Sequence, residues 1–229
     1  MSTRQGPGVS VGAYGQLNLG ARSGDAPEAV AANRAAAQAV LGLDRPPHWL
    51  QQVHGVDVAD IDHSVQGDEP RADASVTRRA GEPLAILTAD CLPVLFCTTD
   101  GATVAAAHAG WRGLQAGVLE ATLASLSSLP SQVLAWLGPC IGMASYEVGE
   151  EVHEAFLASD PGAGACFQAT RPGHWLCDLA GLARRRLQAA GVAGVYGGGF
   201  DTRTDGRFYS YRRDGAQSGR FASLIWLEG

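Results

Sequence analysis

Hydrophobic and polar positions fall into short runs broken by glycine rather than into long helical stripes, and this punctuation predicts a mixed α/β fold. Residues 9–20 mix short alternation with glycine and predict a strand and a turn. A helix follows: Asp25 is placed to cap it, Pro27 suits its first turn, and Val30, Ala37, Val40 and Leu41 form an apolar stripe that stops at Gly42. Three apolar stretches of strand length, 49–55, 83–91 and 103–113, each end abruptly in polar or glycine-rich residues. As neighbouring strands they would gather their terminal groups at one sheet edge, where open α/β folds place ligands. Downstream the pattern predicts a helix over 114–126, a strand over 133–141, and helices over 147–158 and 179–190, the last stopped by Gly191. A glycine turn at 197–199 and a final apolar strand over 221–227 close the chain. With no internal repeat and no linker-like shift in composition, residues 1–229 read as one compact domain, a mixed sheet flanked by helices.

Composition narrows the chemistry. The formal charge of −6 and the absence of a dominant basic run give no reason for nucleic acid or an anionic membrane as partner, which leaves a small molecule. No secretory h-region and no membrane-length apolar run are present, so a cytoplasmic location is expected. The five cysteines are an odd number without a Cys-x-x-Cys pair, which argues for reduced thiols and against a zinc ribbon. All 17 basic residues are arginine; without lysine, a Walker-type phosphate loop and Schiff-base catalysis are excluded. Any anion must be held by arginine, backbone N–H groups or a metal.

His54, Cys91 and His108 each sit at the end of a predicted strand. Two neutral imidazoles and a thiolate suit a catalytic zinc with an open fourth position, although spacings of 37 and 17 residues match no compact metal motif. The same residues also suit a hydrolase with Cys91 as nucleophile and a histidine as base. Asp90 can orient a histidine or serve the backbone of its turn. Arg112, four residues after His108 at a helix start, is a candidate anion holder; stacking on Trp111 is its alternative. Glu147 offers a carboxylate near another strand end, either as acid or base or as macrodipole partner in a first turn. Tyr211-Arg212-Arg213-Asp214-Gly215 and Arg220 form a second arginine concentration, of a kind commonly salt-bridged and solvated.

Taken in order, Gln52-Val53-His54-Gly55, Thr88-Ala89-Asp90-Cys91-Leu92-Pro93-Val94, His108-Ala109-Gly110-Trp111-Arg112-Gly113, Gly138-Pro139-Cys140-Ile141-Gly142 with Tyr146-Glu147-Val148-Gly149, and Ser210-Tyr211-Arg212-Arg213-Asp214-Gly215 closely resemble the laccase-domain family, also called YfiH-like or polyphenol-oxidase-like. The resemblance runs from Ser2 to Trp226. It implies a YfiH-like α/β domain with zinc, or alternatively copper, on His54, Cys91 and His108. It further implies phosphorolysis of adenosine, inosine and methylthioadenosine, with purine nucleoside and phosphate as small-molecule partners, and adenosine deamination as a side activity. Arg112 matches the family pattern; with Glu147 and Arg212 it is a candidate substrate contact. Family members often carry Cys-Thr where this chain has Asp201-Thr202, so Asp201 brings a carboxylate towards the site or stabilises a turn. Older labels make the family multicopper polyphenol oxidases, but a type-1 copper and a trinuclear cluster need more than six histidines with no His-x-His pair. A nucleoside-binding module without turnover is the non-enzymatic alternative.

Overall fold

A computed structural model of the chain describes residues 1–64, 67 and 69–229. Its centre is a six-stranded mixed sheet. In spatial order the strands are β1 (Val58–Asp60), β2 (Ala74–Thr77), β5 (Val104–Ala109), β4 (Leu92–Thr98), β6 (Val133–Leu137) and β10 (Gly194–Gly197). The two edge pairings are parallel, and the β2, β5, β4, β6 run is antiparallel. Strands β3 (Leu84–Thr88) and β11 (Phe221–Ile225) form an antiparallel ribbon, while β7 (Glu147–Gly149), β9 (His174–Cys177) and β8 (Phe167–Arg171) form a third, small sheet.

Alternation along the central strands decides what each face meets. On β5, Ala105, Ala107 and Ala109 point into a core shared with α3 (Val118–Ser125) and α5 (Leu179–Ala189), whereas Val104 and Ala106 pack with Leu84 and Ile86 of the ribbon. Every β5 side chain is buried, and the alanines let layers close in on both faces. His108 falls in register with Val104 and Ala106 and so points towards the ribbon side, at the strand's C-terminal end. The molecule is therefore a single compact mixed α/β domain, ribbon on sheet on helices. Among the described residues no helix is long and apolar enough to cross a membrane.

Several elements differ from the sequence reading for identifiable reasons. Residues 9–20 hold a short 3-10 turn (Gly12–Tyr14) and no strand, because side chains capture their polar groups: Asn33 accepts from the Val9 N–H at 2.7 Å and donates to Ser10 and to the Asn18 carbonyl, both at 2.8 Å. Helix α1 (Pro27–Val40) starts after Ala26 rather than Asp25, whose carboxylate instead binds Ser10 and Asn18. The buried face of α1 is Val30 and Asn33, and Val40 is exposed. Residues 49–55 do not make a strand either; Gln52 substitutes for one, its side-chain amide giving and taking hydrogen bonds at 2.8 and 2.9 Å with the Leu87 backbone. The helix expected over 114–126 is two, α2 (Trp111–Ala116) and α3, parted at Gly117 with φ 104°. Glu147 lies in β7, and α4 (Glu150–Ser159) begins three residues later. Strand β4 escaped prediction because Pro93 weakens a strand reading; it sits second in the strand, and its carbonyl accepts from Gly138 at 2.8 Å.

Candidate metal centre

The first donor comes from an irregular segment held by one carboxylate. Asp73, fully buried just ahead of β2, accepts the backbone N–H groups of Val53 at 3.1 Å, His54 at 2.9 Å and Gly55 at 2.6 Å. This clamp holds His54 at φ 62°, left-handed backbone that a β-carbon disfavours. The same carboxylate accepts from His108 Nδ1 at 2.8 Å, and the Asp73 carbonyl accepts the His108 N–H at 2.7 Å. With Nδ1 turned to Asp73, Nε2 is the nitrogen that His108 has left for a metal, which would take the place of its proton.

Cys91 stands in the tight connection between β3 and β4, where Asp90 adopts φ 89°. Asp90 orients no histidine. Its Oδ1 accepts from Thr202 and its Oδ2 from the Arg212 N–H, both at 2.6 Å, so it anchors the C-terminal segment across the site. Cys91 Sγ lies 3.8 Å from His54 Nε2, and the rings of His54 and His108 meet edge-on at 4.8 Å between centroids. One ligand atom from each of His54, Cys91 and His108 falls within 4.8 Å of the others, the single such group of three or more metal-competent residues among the described residues. Gly110 is required beside them: a Cβ there would stand 2.8 Å from His54 Cδ2 and 3.0 Å from Cys91 Sγ.

The electrostatics favour a thiolate. Burial works against ionisation of Cys91, but the neighbouring His108 and then His54 outweigh it and pull the thiol well below its ordinary range. Burial likewise opposes the His108 cation, and the Cys91 thiolate with Asp73 overcomes it and raises the imidazole. Cys140 and Cys177, buried without such neighbours, are pushed up instead. A two-histidine, one-thiolate set with an oriented imidazole fits a single catalytic metal. It does not fit a four-copper oxidase: His48 pairs with Glu82, His63 with Asp60 and His153 with Glu150, each away from the trio, and His174 bonds the Pro172 carbonyl.

The donors open into a cavity of about 640 Å³. Arg112 borders it, exposed, with its guanidinium 4.5 Å from the Trp111 ring centroid. Arg212 borders it too, 5.2 Å from the Tyr146 ring and donating Nη1 to the Glu147 carbonyl at 2.9 Å. The Glu147 carboxylate is not brought to the cavity; it faces Arg171 at 2.9 Å and Thr170. Asp201 is a turn stabiliser, accepting from Ser145 Oγ at 2.6 Å and from the Gly142 and Arg203 N–H groups. The second arginine concentration divides: Arg213 pairs with Asp214 at 2.8 Å as the pattern suggested, but Arg220 has no carboxylate among the described residues and lines the cavity. Sequence reasoning missed Asp73, whose only local signal is a lone acid between two alanines, and gave Arg220 the wrong setting.

The sequence matches the family described as multi-copper polyphenol oxidoreductase laccase over residues 1–228. A Xylella fastidiosa protein named purine nucleoside phosphorylase is 52% identical over 234 residues, covering 98% of this chain and 90% of that relative. A protein of Escherichia coli K12, named purine nucleoside phosphorylase YfiH, is 50% identical over 227 residues, covering 99% and 92%. Among solved structures, a Neisseria meningitidis protein superposes with a TM-score of 0.94 at 49% identity, covering 99% of this chain and 92% of that one. YlmD from Geobacillus stearothermophilus gives 0.90 at 31% identity, covering 99% and 90%.

Proposed function

Because the chain belongs to the laccase-domain family, we propose that it is a zinc-dependent purine nucleoside phosphorylase. Its substrates are adenosine, inosine and methylthioadenosine, with adenosine deamination as a side activity. The observation that carries this reading is a His54–Cys91–His108 donor set opening into a cavity bordered by arginines, in a chain whose relatives bear the name purine nucleoside phosphorylase. When bound, the metal supplies positive charge and an open coordination position at which an oxygen ligand is polarised.

The chain's own residues do the rest. Arg112 and Arg212 hold the attacking phosphate and balance its charge. Trp111, Tyr146 and Tyr211, all on the cavity wall, offer aromatic faces and apolar edges to a purine. A phosphate oxygen forms the bond to C1′ as the C1′–N9 bond breaks; the electron pair leaves with the base, which takes up a proton, and ribose 1-phosphate is released. Holding the anion against the sugar is what lowers this barrier, since the transition state is oxocarbenium-like. In the side activity water adds at purine C6 and ammonia leaves.

Chromatography of reactions with and without inorganic phosphate, on protein of measured zinc content, tests the reading. Free hypoxanthine from inosine only when phosphate is present is the expected result; inosine from adenosine with no free base under any condition would leave a deaminase and remove the phosphorylase. The depressed Cys91 thiol keeps one second reading in play, a hydrolase with Cys91 as nucleophile.

A further inference from the structure

Five arginines border the cavity, and they are not equivalent. Arg22 and Arg34 share Glu69, at 2.8 and 2.7 Å. Arg112, Arg212 and Arg220 have no carboxylate partner among the described residues. Of these three, Arg112 is exposed at the rim, while Arg220 is fixed in place. The Arg220 side chain packs over Gly20, where a Cβ would come within 2.7 Å of its Cγ. Its backbone N–H donates to Asn18 Oδ1 at 2.8 Å, and its carbonyl accepts from Leu19 at 3.0 Å. Nη1 donates to the carbonyls of Ser218 at 2.6 Å and Gly219 at 2.9 Å. Nε and Nη2 meet no acceptor among the described residues.

A guanidinium anchored through one nitrogen, with its other donors open to a cavity, has little side-chain freedom left to lose on binding and presents a fork that matches a tetrahedral oxyanion. No carboxylate bonds it directly among the described residues: both oxygens of Asp90, the carboxylate on the same wall, accept from Thr202 and the Arg212 N–H, so Asp90 acts on Arg220 only at a distance. Burial disfavours the Arg220 cation, a cost that a bound anion relieves. Thr88, on the same wall, has a buried hydroxyl with no partner.

We propose that Arg220 is a further oxyanion-holding residue of this cavity, beside Arg112 and Arg212, and that the group it takes is a phosphoryl-type tetrahedral anion. The anion is either free inorganic phosphate or a phosphoryl group carried on the nucleoside; its assignment as phosphate rests on the phosphorolytic reading above. Zinc-loaded wild-type protein, Arg220→Gln and Arg220→Lys are titrated calorimetrically with inorganic phosphate and with adenosine 5′-monophosphate. Michaelis constants for phosphate and for inosine are measured on the same preparations.

Arg220→Gln is expected to weaken binding of one anion by about tenfold or more, the worth of a charge-assisted contact. Zinc content and melting temperature should stay at wild-type values, and added guanidinium ion should restore part of the binding. Loss confined to inorganic phosphate, with a raised phosphate KM and an unchanged inosine KM, assigns the free ion. Loss confined to the nucleotide assigns the carried group. Arg220→Lys, which keeps charge and stem, should fall between the two and carries the test if the glutamine variant does not fold. Wild-type affinity for both anions in the variants, or no binding of either by the wild-type protein, overturns the inference. Failure of the phosphorylase reading is seen separately, as absence of free base from the wild-type enzyme.

Discussion

Replacing Asp73 by Asn removes one negative charge and almost no volume, so its consequences can be worked from hydrogen bonds alone. Oδ1 accepts from His108 Nδ1 and the His54 N–H, and Oδ2 from the N–H groups of Val53 and Gly55. Whichever oxygen becomes an amide NH₂, two protein donors then face a donor. Bonds to a charged acceptor contribute about 1.5–3 kcal/mol each, so two of them amount to about 3–6 kcal/mol, a large share of the roughly 5–15 kcal/mol that a domain has in total. The cost at the metal is additional. If the NH₂ turns to His108, that ring must accept at Nδ1 and carry its proton on Nε2, the nitrogen meant for the metal; loss of such a partner lowers metal affinity by about 10–100-fold. Urea unfolding and chelator competition for zinc, run on one preparation, read the two effects. The pH dependence has a definite sign. Burial raises the Asp73 carboxyl, but its hydrogen bonds, led by His108, prevail and hold it below the ordinary carboxylate range. Its contribution is therefore complete above the unfolded value of about 4 and disappears as pH falls below it, so wild type and variant should converge on acidification. An Asp73→Asn protein with the wild-type urea midpoint and wild-type zinc affinity at neutral pH would refute this account of the clamp.

Cys91 in metal-stripped protein should be alkylated by iodoacetamide at neutral pH far faster than Cys140 or Cys177, because its neighbours hold it as thiolate while burial keeps the other two protonated. Zinc should protect it; peptide mapping after timed labelling checks both, and equal labelling with and without zinc contradicts ligation by this thiol. Asp201→Ala should lower stability by about 1–3 kcal/mol through the orphaned Ser145 hydroxyl and Gly142 N–H, yet leave zinc content unchanged. Loss of zinc from that variant would place Asp201 nearer the chemistry than its turn suggests.

The sequence made the donor trio legible because each member ends a short apolar run or sits in a dense block of Gly, His and Trp, and these are local signals. Helix α5 and strands β6 and β11 were legible for the same reason: their caps and periodicity lie within the segment. Asp73 was not, since its work is done on Val53 to Gly55 and His108, 18 to 35 residues away, and nothing beside it in sequence marks it. Residues 49–55 read as a strand because hydrophobic periodicity cannot tell a backbone ladder from Gln52 imitating one with its side chain. Arg220 looked like part of a solvated tail because a neighbouring Arg213–Asp214 pair is one; only the folded course of the chain takes Arg220 inward.

The cavity's parts are made in a fixed order. His54, Cys91 and His108 all lie in the first half of the chain, whereas Tyr211, Arg212 and Arg220 belong to its last 20 residues, and strand β11 must pair with β3 to bring Arg220 to its place. At a synthesis rate of about 5–20 residues per second, the 103 residues from His108 to Tyr211 take on the order of ten seconds to appear. For that interval a nascent chain carries every metal donor and none of the C-terminal wall. The His54, Cys91 and His108 donors and the arginine-bearing C-terminal wall are thus supplied at separable moments in the birth of this protein, and a stalled or C-terminally clipped chain carries the donors without the residues that complete the cavity.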